Sequence, residues 1–189
     1  MYYLFFDLDN TLMPTNRYSF LKQINYSYHK MHVDIHNRKY HIGNIVSNYQ
    51  RNIHQDRRLY QLLSQLNFPK YIITNGSRIH CMLSLRNLGI MNLFQGGVDS
   101  NSIQYHQLKP NIHPYLAAME MSKLNPESDK CVFFDDIPDN HYVPKVKLNW
   151  ITVLIGTTYP DKQKPSFIDF CFPDIYQALD FFIERQDKK

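Results

Sequence analysis

The chain has 189 residues, 43% of them hydrophobic and 20% charged, which suits one domain with at most a small appendage and excludes a disordered tail or a fibre. Its three cysteines, Cys81, Cys131 and Cys171, form no C-x-x-C pair, so zinc-knuckle spacing is excluded and a reducing compartment fits. The formal net charge of +4 is unevenly placed: residues 13–58 hold eight Lys/Arg against two acids, and the remainder of the chain is net acidic.

In chain order, Tyr2–Leu8 reads as a buried strand that runs into a carboxylate, Asp7. This apolar start is too short for a secretory signal, and no apolar run approaches the ~20 residues of a membrane span. A soluble, cytoplasmic protein is expected, with no membrane partner. Residues 13–58 are polar and aromatic, with some helical pattern around Phe20–Met31, and read as a small helical insertion. His54–Leu66 carries Leu59, Leu62, Leu63 and Leu66 at helical spacing. Lys70–Thr74 is a second strand, closed by Asn75-Gly76. Ser77–Leu88 is helical, with Gly89 as its C-cap. Val98 marks a weak strand, and Asn111–Leu124 a helix that begins near Pro110. Cys131–Phe134 is a strand ending in Asp135 and Asp136. Trp150–Ile155 is a strand closed by Gly156, and Asp174–Glu184 is a helix following Pro173.

Strands alternating with helices predict an α/β fold: a Rossmann-like parallel sheet with helices on both faces, plus a small helical cap inserted after the first strand. Residues 1–12 and 59–189 would form the core, and 13–58 the basic cap. Ligands of such sheets bind outside the carboxyl ends of the strands. Three strands deliver polar residues to that edge: Asp7 and Asp9, Thr74 and Asn75, and Asp135 and Asp136. Gathered carboxylates repel one another, and a hard divalent cation with oxygen ligands resolves the conflict.

The segment Phe5–Leu12 (FFDLDNTL) resembles motif I of the haloacid dehalogenase-like (HAD) hydrolases, an apolar strand followed by D-x-D-x-T. Ile72–Gly76 (IITNG) resembles motif II, Lys109 in Leu108-Lys109-Pro110 resembles motif III, and Phe133–Asp136 (FFDD) resembles motif IV. The resemblance covers roughly Tyr2 to Gly156, with the four motifs in order. Its nearest flavour is the pyrimidine 5′-nucleotidase-like branch, through D-x-D-N-T-L and D-D-x-x-x-N, whose last position is Asn140 here.

The resemblance implies a Mg2+-dependent phosphatase that works through an aspartyl-phosphate intermediate. Asp7 matches the nucleophile, since a carboxylate can attack phosphorus and split one hard step into two. Asp9 matches the general acid and base. Thr74 would offer a hydroxyl, and Asn75 and Gly76 amide donors, to the phosphoryl oxygens. Asn10 and Thr11 fall with them on the substrate side. Lys109 would place a compact positive charge against phosphate and nucleophile. Mg2+ would be held by Asp7, the Asp9 carbonyl, Asp136 and, directly or through another group, Asp135.

Taken singly, each motif has a plainer reading. Asp9-Asn10 is a turn, Lys109 a solvated lysine, and Asp135-Asp136 a helix cap. Context is what turns them into a site. His29, His32 and His36 would share one face of a possible helix, and read as a polar exposed face. The +6 segment reads as a cap drawing phosphorylated substrates toward the site, with a nucleic-acid patch as the alternative. The partner is then a small phosphorylated metabolite such as a nucleoside monophosphate. The cap is short for a nucleotidase, which leaves a polynucleotide end or a phosphoprotein open as substrate, alongside a HAD-like binding module without turnover.

Overall fold

The computed structural model describes residues 1–13, 42–159 and 163–186. Six strands form one sheet: β1 (Tyr2–Phe6), β2 (Lys70–Ile73), β3 (Gly96–Val98), β4 (Lys130–Asp135), β5 (Ile151–Ile155) and β6 (Phe170–Phe172). Their order is β3-β2-β1-β4-β5-β6, and every neighbouring pair is parallel. The expected Rossmann-like α/β fold is therefore present. This order reverses direction between β1 and β4, and that switch point is where a doubly wound sheet opens a crevice at its carboxyl edge.

Strand alternation builds two cores, one on each face. Leu4 and Phe6 of β1, Ile72 of β2, and Val132 and Phe134 of β4 turn to one side. Phe5, Tyr71, Ile73 and Phe133 turn to the other. The first face is covered by α2 (Arg57–Gln65), α3 (Arg78–Leu88) and α6 (Ile175–Gln186), and α1 (Ile42–Asn52) adds Tyr49 to it. On the second face, α4 (His113–Ser122) contributes Tyr115 and Ala118, and Val143 and Leu148 of α5 (Tyr142–Leu148) pack on the same cluster. Aromatic rings fill the centre: Phe6 stacks on Phe134 at 4.5 Å and Phe5 on Trp150 at 4.7 Å between centroids.

Local signals set the helix ends. Asp56 caps α2 by accepting from the Leu59 N–H at 2.8 Å, and Ser77 caps α3 by accepting from the His80 N–H at 3.3 Å. Gly89 ends α3 with φ 77°, a left-handed conformation that favours glycine.

The first strand stops at Phe6, two residues short of the expected end, although the Asp7 N–H still donates to the Phe134 carbonyl at 2.8 Å. Two elements, α5 and the edge strand β6, were not anticipated, while α1 falls within residues 13–58, which read as a helical insertion. The expected helical pattern at Phe20–Met31 and the histidines His29, His32 and His36 lie outside the described residues. No helix among the described residues is long and apolar enough to cross a membrane.

Candidate active site

The β1–β4 register sets Phe6 opposite Phe134, so the next residues, Asp7 and Asp135, emerge side by side at the switch point. Both are buried; Asp135 is fully so. Two carboxylates in that position would be untenable alone. Lys109 answers them. Its ammonium Nζ lies 2.6 Å from Asp7 Oδ1 and 2.6 Å from Asp135 Oδ2, and the side chain is itself buried. Burial pulls the Lys109 pKa down, but the charges of Asp135 and Asp7 outweigh it, and the ammonium is held above its ordinary value. For Asp7, burial raises the pKa well above its ordinary value, Lys109 opposes that rise, and Asp135 adds to it.

Asp135 has little hydrogen-bonding capacity left. Its Oδ1 accepts from the Ile137 N–H at 2.8 Å, the Asn140 amide donates to both carboxylate oxygens at 3.0 Å, and Lys109 takes Oδ2. Asn140 is placed in turn by the Tyr115 hydroxyl, which donates to its carbonyl at 2.7 Å. The His141 ring bonds the Asp135 carbonyl at 3.1 Å, and burial lowers its pKa, with the charge of Asp135 opposing. Asp136 is more open. Its pKa is pushed up to about 6, by burial first and then by the charge of Asp135, with a hydrogen bond from Asn10 opposing.

Carboxylate oxygens of Asp7, Asp135 and Asp136 all lie within 4.8 Å of one another. An all-oxygen donor set of that size fits a hard divalent ion such as Mg2+, beside the Lys109 ammonium that already bridges Asp7 and Asp135. The Asp9 carboxylate is not in this cluster. It turns to α3, where His80 Nε2 lies 2.9 Å from Oδ1 and 3.1 Å from Oδ2. The Asp9 side chain is 36% exposed, so of these acids it is well placed to meet a ligand arriving from solvent.

The remaining predicted residues fall around this centre. Thr74 follows β2, is buried, and its Oγ1 accepts from the Gly76 N–H at 2.9 Å, leaving the hydroxyl proton to donate elsewhere. Asn75 clasps the Lys109 backbone in both directions, accepting from its N–H at 2.9 Å and donating to its carbonyl at 3.0 Å. Its side chain therefore fixes the segment that carries the lysine. Asn10 adopts φ 59°, turning the chain back after β1, and Thr11 is buried beneath it. A cleft of about 560 Å3 opens on the β5–β6 side, lined in part by Asn10, Asp136, Gly156, Tyr159 and Tyr176. It flanks the carboxylates and does not include Asp7, Thr74 or Lys109.

Sequence reasoning missed His80 and Tyr49. The Tyr49 hydroxyl on α1 lies 2.7 Å from His80 Nδ1, on the far side of the ring from Asp9. The available signal was the Ser77 cap, which sets His80 in the first turn of a helix starting at the active edge.

No protein-family model matches the sequence, and no curated protein matches it. Solved structures do match in fold. A Thermotoga maritima protein designated a β-phosphoglucomutase is 15% identical, with TM-score 0.67, over 98% of this chain and 100% of that one. A HAD phosphatase from Thermococcus onnurineus is 15% identical, with TM-score 0.64, over 96% of this chain and 98% of that one. L-2-haloacid dehalogenase from Xanthobacter autotrophicus, with chloropropionic acid covalently bound, is 12% identical, with TM-score 0.61, over 95% and 97%. The chain has the fold of the HAD-superfamily hydrolases.

Proposed function

We propose that this protein is a Mg2+-dependent phosphatase that hydrolyses phosphate monoesters through an aspartyl-phosphate on Asp7. The observation that carries the reading is the Asp7–Lys109–Asp135 bridge at the switch point, with Asp136 beside it. A buried carboxylate held by a lysine, with one oxygen left for attack, is the arrangement a nucleophilic aspartate needs.

The chemistry follows from the chain's own groups. The free oxygen of Asp7 attacks phosphorus, and the ester P–O bond breaks with its electron pair going to the leaving oxygen. Asp9 protonates that oxygen. Asp9 then takes a proton from water, water attacks phosphorus, and the bond to Asp7 breaks, releasing inorganic phosphate. Lys109 and the Thr74 hydroxyl counter charge on the phosphoryl oxygens. Mg2+ held by Asp7, Asp136 and the Asp9 carbonyl, with Asp135 behind them, would screen the approach of two anions. The fold neighbours include a dehalogenase and phosphate-handling proteins, so fold alone does not choose between chemistries. The partly exposed Asp9 supports phosphoryl transfer, because a protonating acid serves an alkoxide leaving group and has no task when halide leaves.

The substrate is a small phosphorylated metabolite, with a nucleoside monophosphate as the finer reading. The test is phosphate release from p-nitrophenyl phosphate and a panel of nucleoside and sugar monophosphates with Mg2+. Turnover is expected for the wild type and should disappear with EDTA and in Asp7→Asn. A pure protein inert across the panel with Mg2+ or Mn2+ would refute the proposal.

A further inference from the structure

His80 has no place in that scheme, yet it is the described partner of the Asp9 carboxylate. Its Nε2 reaches both oxygens, at 2.9 and 3.1 Å, and its Nδ1 is held by the Tyr49 hydroxyl at 2.7 Å. The ring is fixed further by α3, whose cap Ser77 accepts from the His80 backbone N–H. Tyr49 is 1% exposed, so the outer end of this chain is anchored in the core. The three residues come from three places: Asp9 from the loop after β1, His80 from the first turn of α3, and Tyr49 from α1.

The neighbouring glycine is fitted to the same contact. A Cβ at Gly76 would lie 2.9 Å from His80 Cδ2, 3.2 Å from Thr74 Oγ1 and 3.7 Å from Asp9 Oδ2. Any side chain there would have to displace the imidazole or the threonine. The motif that provides Thr74 therefore also leaves room for the ring that reaches Asp9.

We infer that His80 is a positioning residue for Asp9, braced by Tyr49, and that the pair aims the Asp9 carboxyl at the leaving-group oxygen. The inference rests on the phosphatase reading and adds to it. A carboxylate on an exposed loop samples several rotamers, and proton transfer needs the carboxyl oxygen within hydrogen-bond reach of one atom. A two-oxygen contact to a braced ring removes that freedom. An imidazole nitrogen can also donate to a carboxylate or accept from the acid, according to tautomer, so the contact serves Asp9 in both half-reactions.

The consequence is specific to the leaving group. Protonation matters little when p-nitrophenolate leaves and a great deal when an alkoxide leaves. Kinetics would be measured with Mg2+ on p-nitrophenyl, phenyl and benzyl phosphate for wild type, His80→Phe, His80→Gln, Tyr49→Phe and Asp9→Ala. His80→Phe should lower kcat/KM, which reports the step in which the leaving group departs, about 10- to 100-fold on benzyl phosphate, the size of effect seen when a partner that orients a metal ligand is lost. The loss of kcat/KM on p-nitrophenyl phosphate should stay within about threefold, while kcat, which also contains the shared hydrolysis of the aspartyl-phosphate, falls on every ester. His80→Gln, whose amide can replace Nε2, should recover most of the rate, and Tyr49→Phe should show a smaller loss of the same pattern.

Adding His80→Phe to Asp9→Ala should cost little more, since both act through one carboxyl group. Circular dichroism and Tm establish that each variant folds; if His80→Phe does not, His80→Gln and Tyr49→Phe carry the comparison. An active wild type whose His80 and Tyr49 variants lower kcat/KM equally on every ester, or on none, overturns this assignment and leaves the phosphatase reading intact. A wild type inert toward all three esters removes both.

Discussion

Lys109→Met isolates the electrostatic problem at the switch point, because methionine keeps the packing volume and removes the charge. In the wild type one ammonium makes two bonds of 2.6 Å to carboxylates that are nearly or wholly buried. Each charge-assisted bond is worth about 1.5–3 kcal/mol net. Removing one partner of a buried ion pair costs about 3–5 kcal/mol, because the other charge stays behind. The two figures overlap at about 3–5 kcal/mol, a large share of the ~5–15 kcal/mol by which a domain is stable.

The cost has a pH signature. Burial and Asp135 already push the Asp7 pKa up, and Lys109 is what opposes them. Without the lysine, the folded-state pKa of Asp7 climbs further above its unfolded value. The extra destabilisation is then full above that raised pKa and shrinks as pH falls through it toward about 4, where the unfolded carboxyl also takes up its proton. Urea unfolding of both proteins in EDTA, at pH 7 and pH 5, measures this directly. A deficit of about 3–5 kcal/mol at pH 7, clearly smaller at pH 5, with an unchanged m-value, is expected. A deficit below about 1 kcal/mol, or one independent of pH, would refute the argument that Lys109 holds two buried charges together.

Asp136→Asn should remove one titration. The folded-state pKa of Asp136, pushed up to about 6, lies above the unfolded value of about 3.9, so the folded protein binds the extra proton between them. Wild-type stability in EDTA should therefore fall relative to Asp136→Asn as pH rises from about 4 to about 6, and be level above; parallel curves would refute it. The same residue should tie Mg2+ affinity to pH: calorimetry should show weaker binding below pH ~6, and Asp136→Asn should lose at least about tenfold at pH 7. Gly97→Ala tests the sheet, since a Cβ there would lie 2.9 Å from Ile72 Cβ and 3.3 Å from the Ile72 carbonyl oxygen on the neighbouring strand. Overpacking of that kind should cost about 1–3 kcal/mol by urea unfolding.

The parts of the fold legible in the sequence were those in which one physical signal dominated. β1, β2, β4 and β5 are buried apolar runs bounded by turn residues, and all four are strands within two residues of the expected ends. α3 was bounded correctly because Ser77 and Gly89 act through local backbone chemistry. β6 was invisible because Phe170–Phe172 is a three-residue edge strand that exists only by pairing with β5. α5 was hidden by Pro144, which reads as a breaker but sits in its first turn. At the site, Asp7, Asp135 and Asp136 were legible because strand ends converge at a switch point whatever the details, and Lys109 only through its resemblance to motif III. The duties of Asn75 and His80 were not. Each depends on a contact between residues 34 and 71 positions apart, and no local pattern carries it.

The hydrogen bonds divide the four acids more finely than their proximity does. Asp135 accepts from the Ile137 N–H, the Asn140 amide and Lys109, so both of its oxygens are engaged. It is the acid that holds the lysine. Asp7 shares that lysine through Oδ1, which leaves Oδ2 for chemistry or a cation. Asp136 carries a proton more readily than a free carboxyl does, the state of an acid that a divalent ion would displace into the charged form. Asp9 stands apart, bonded across the edge to His80. A purely structural cluster would have no reason to leave an oxygen of Asp7 without a donor and to turn Asp9 to a braced imidazole. Asp7 keeps one oxygen without a protein donor among the described residues, at the edge where ligands of such sheets bind, which under the proposed reading is where the phosphoryl group arrives.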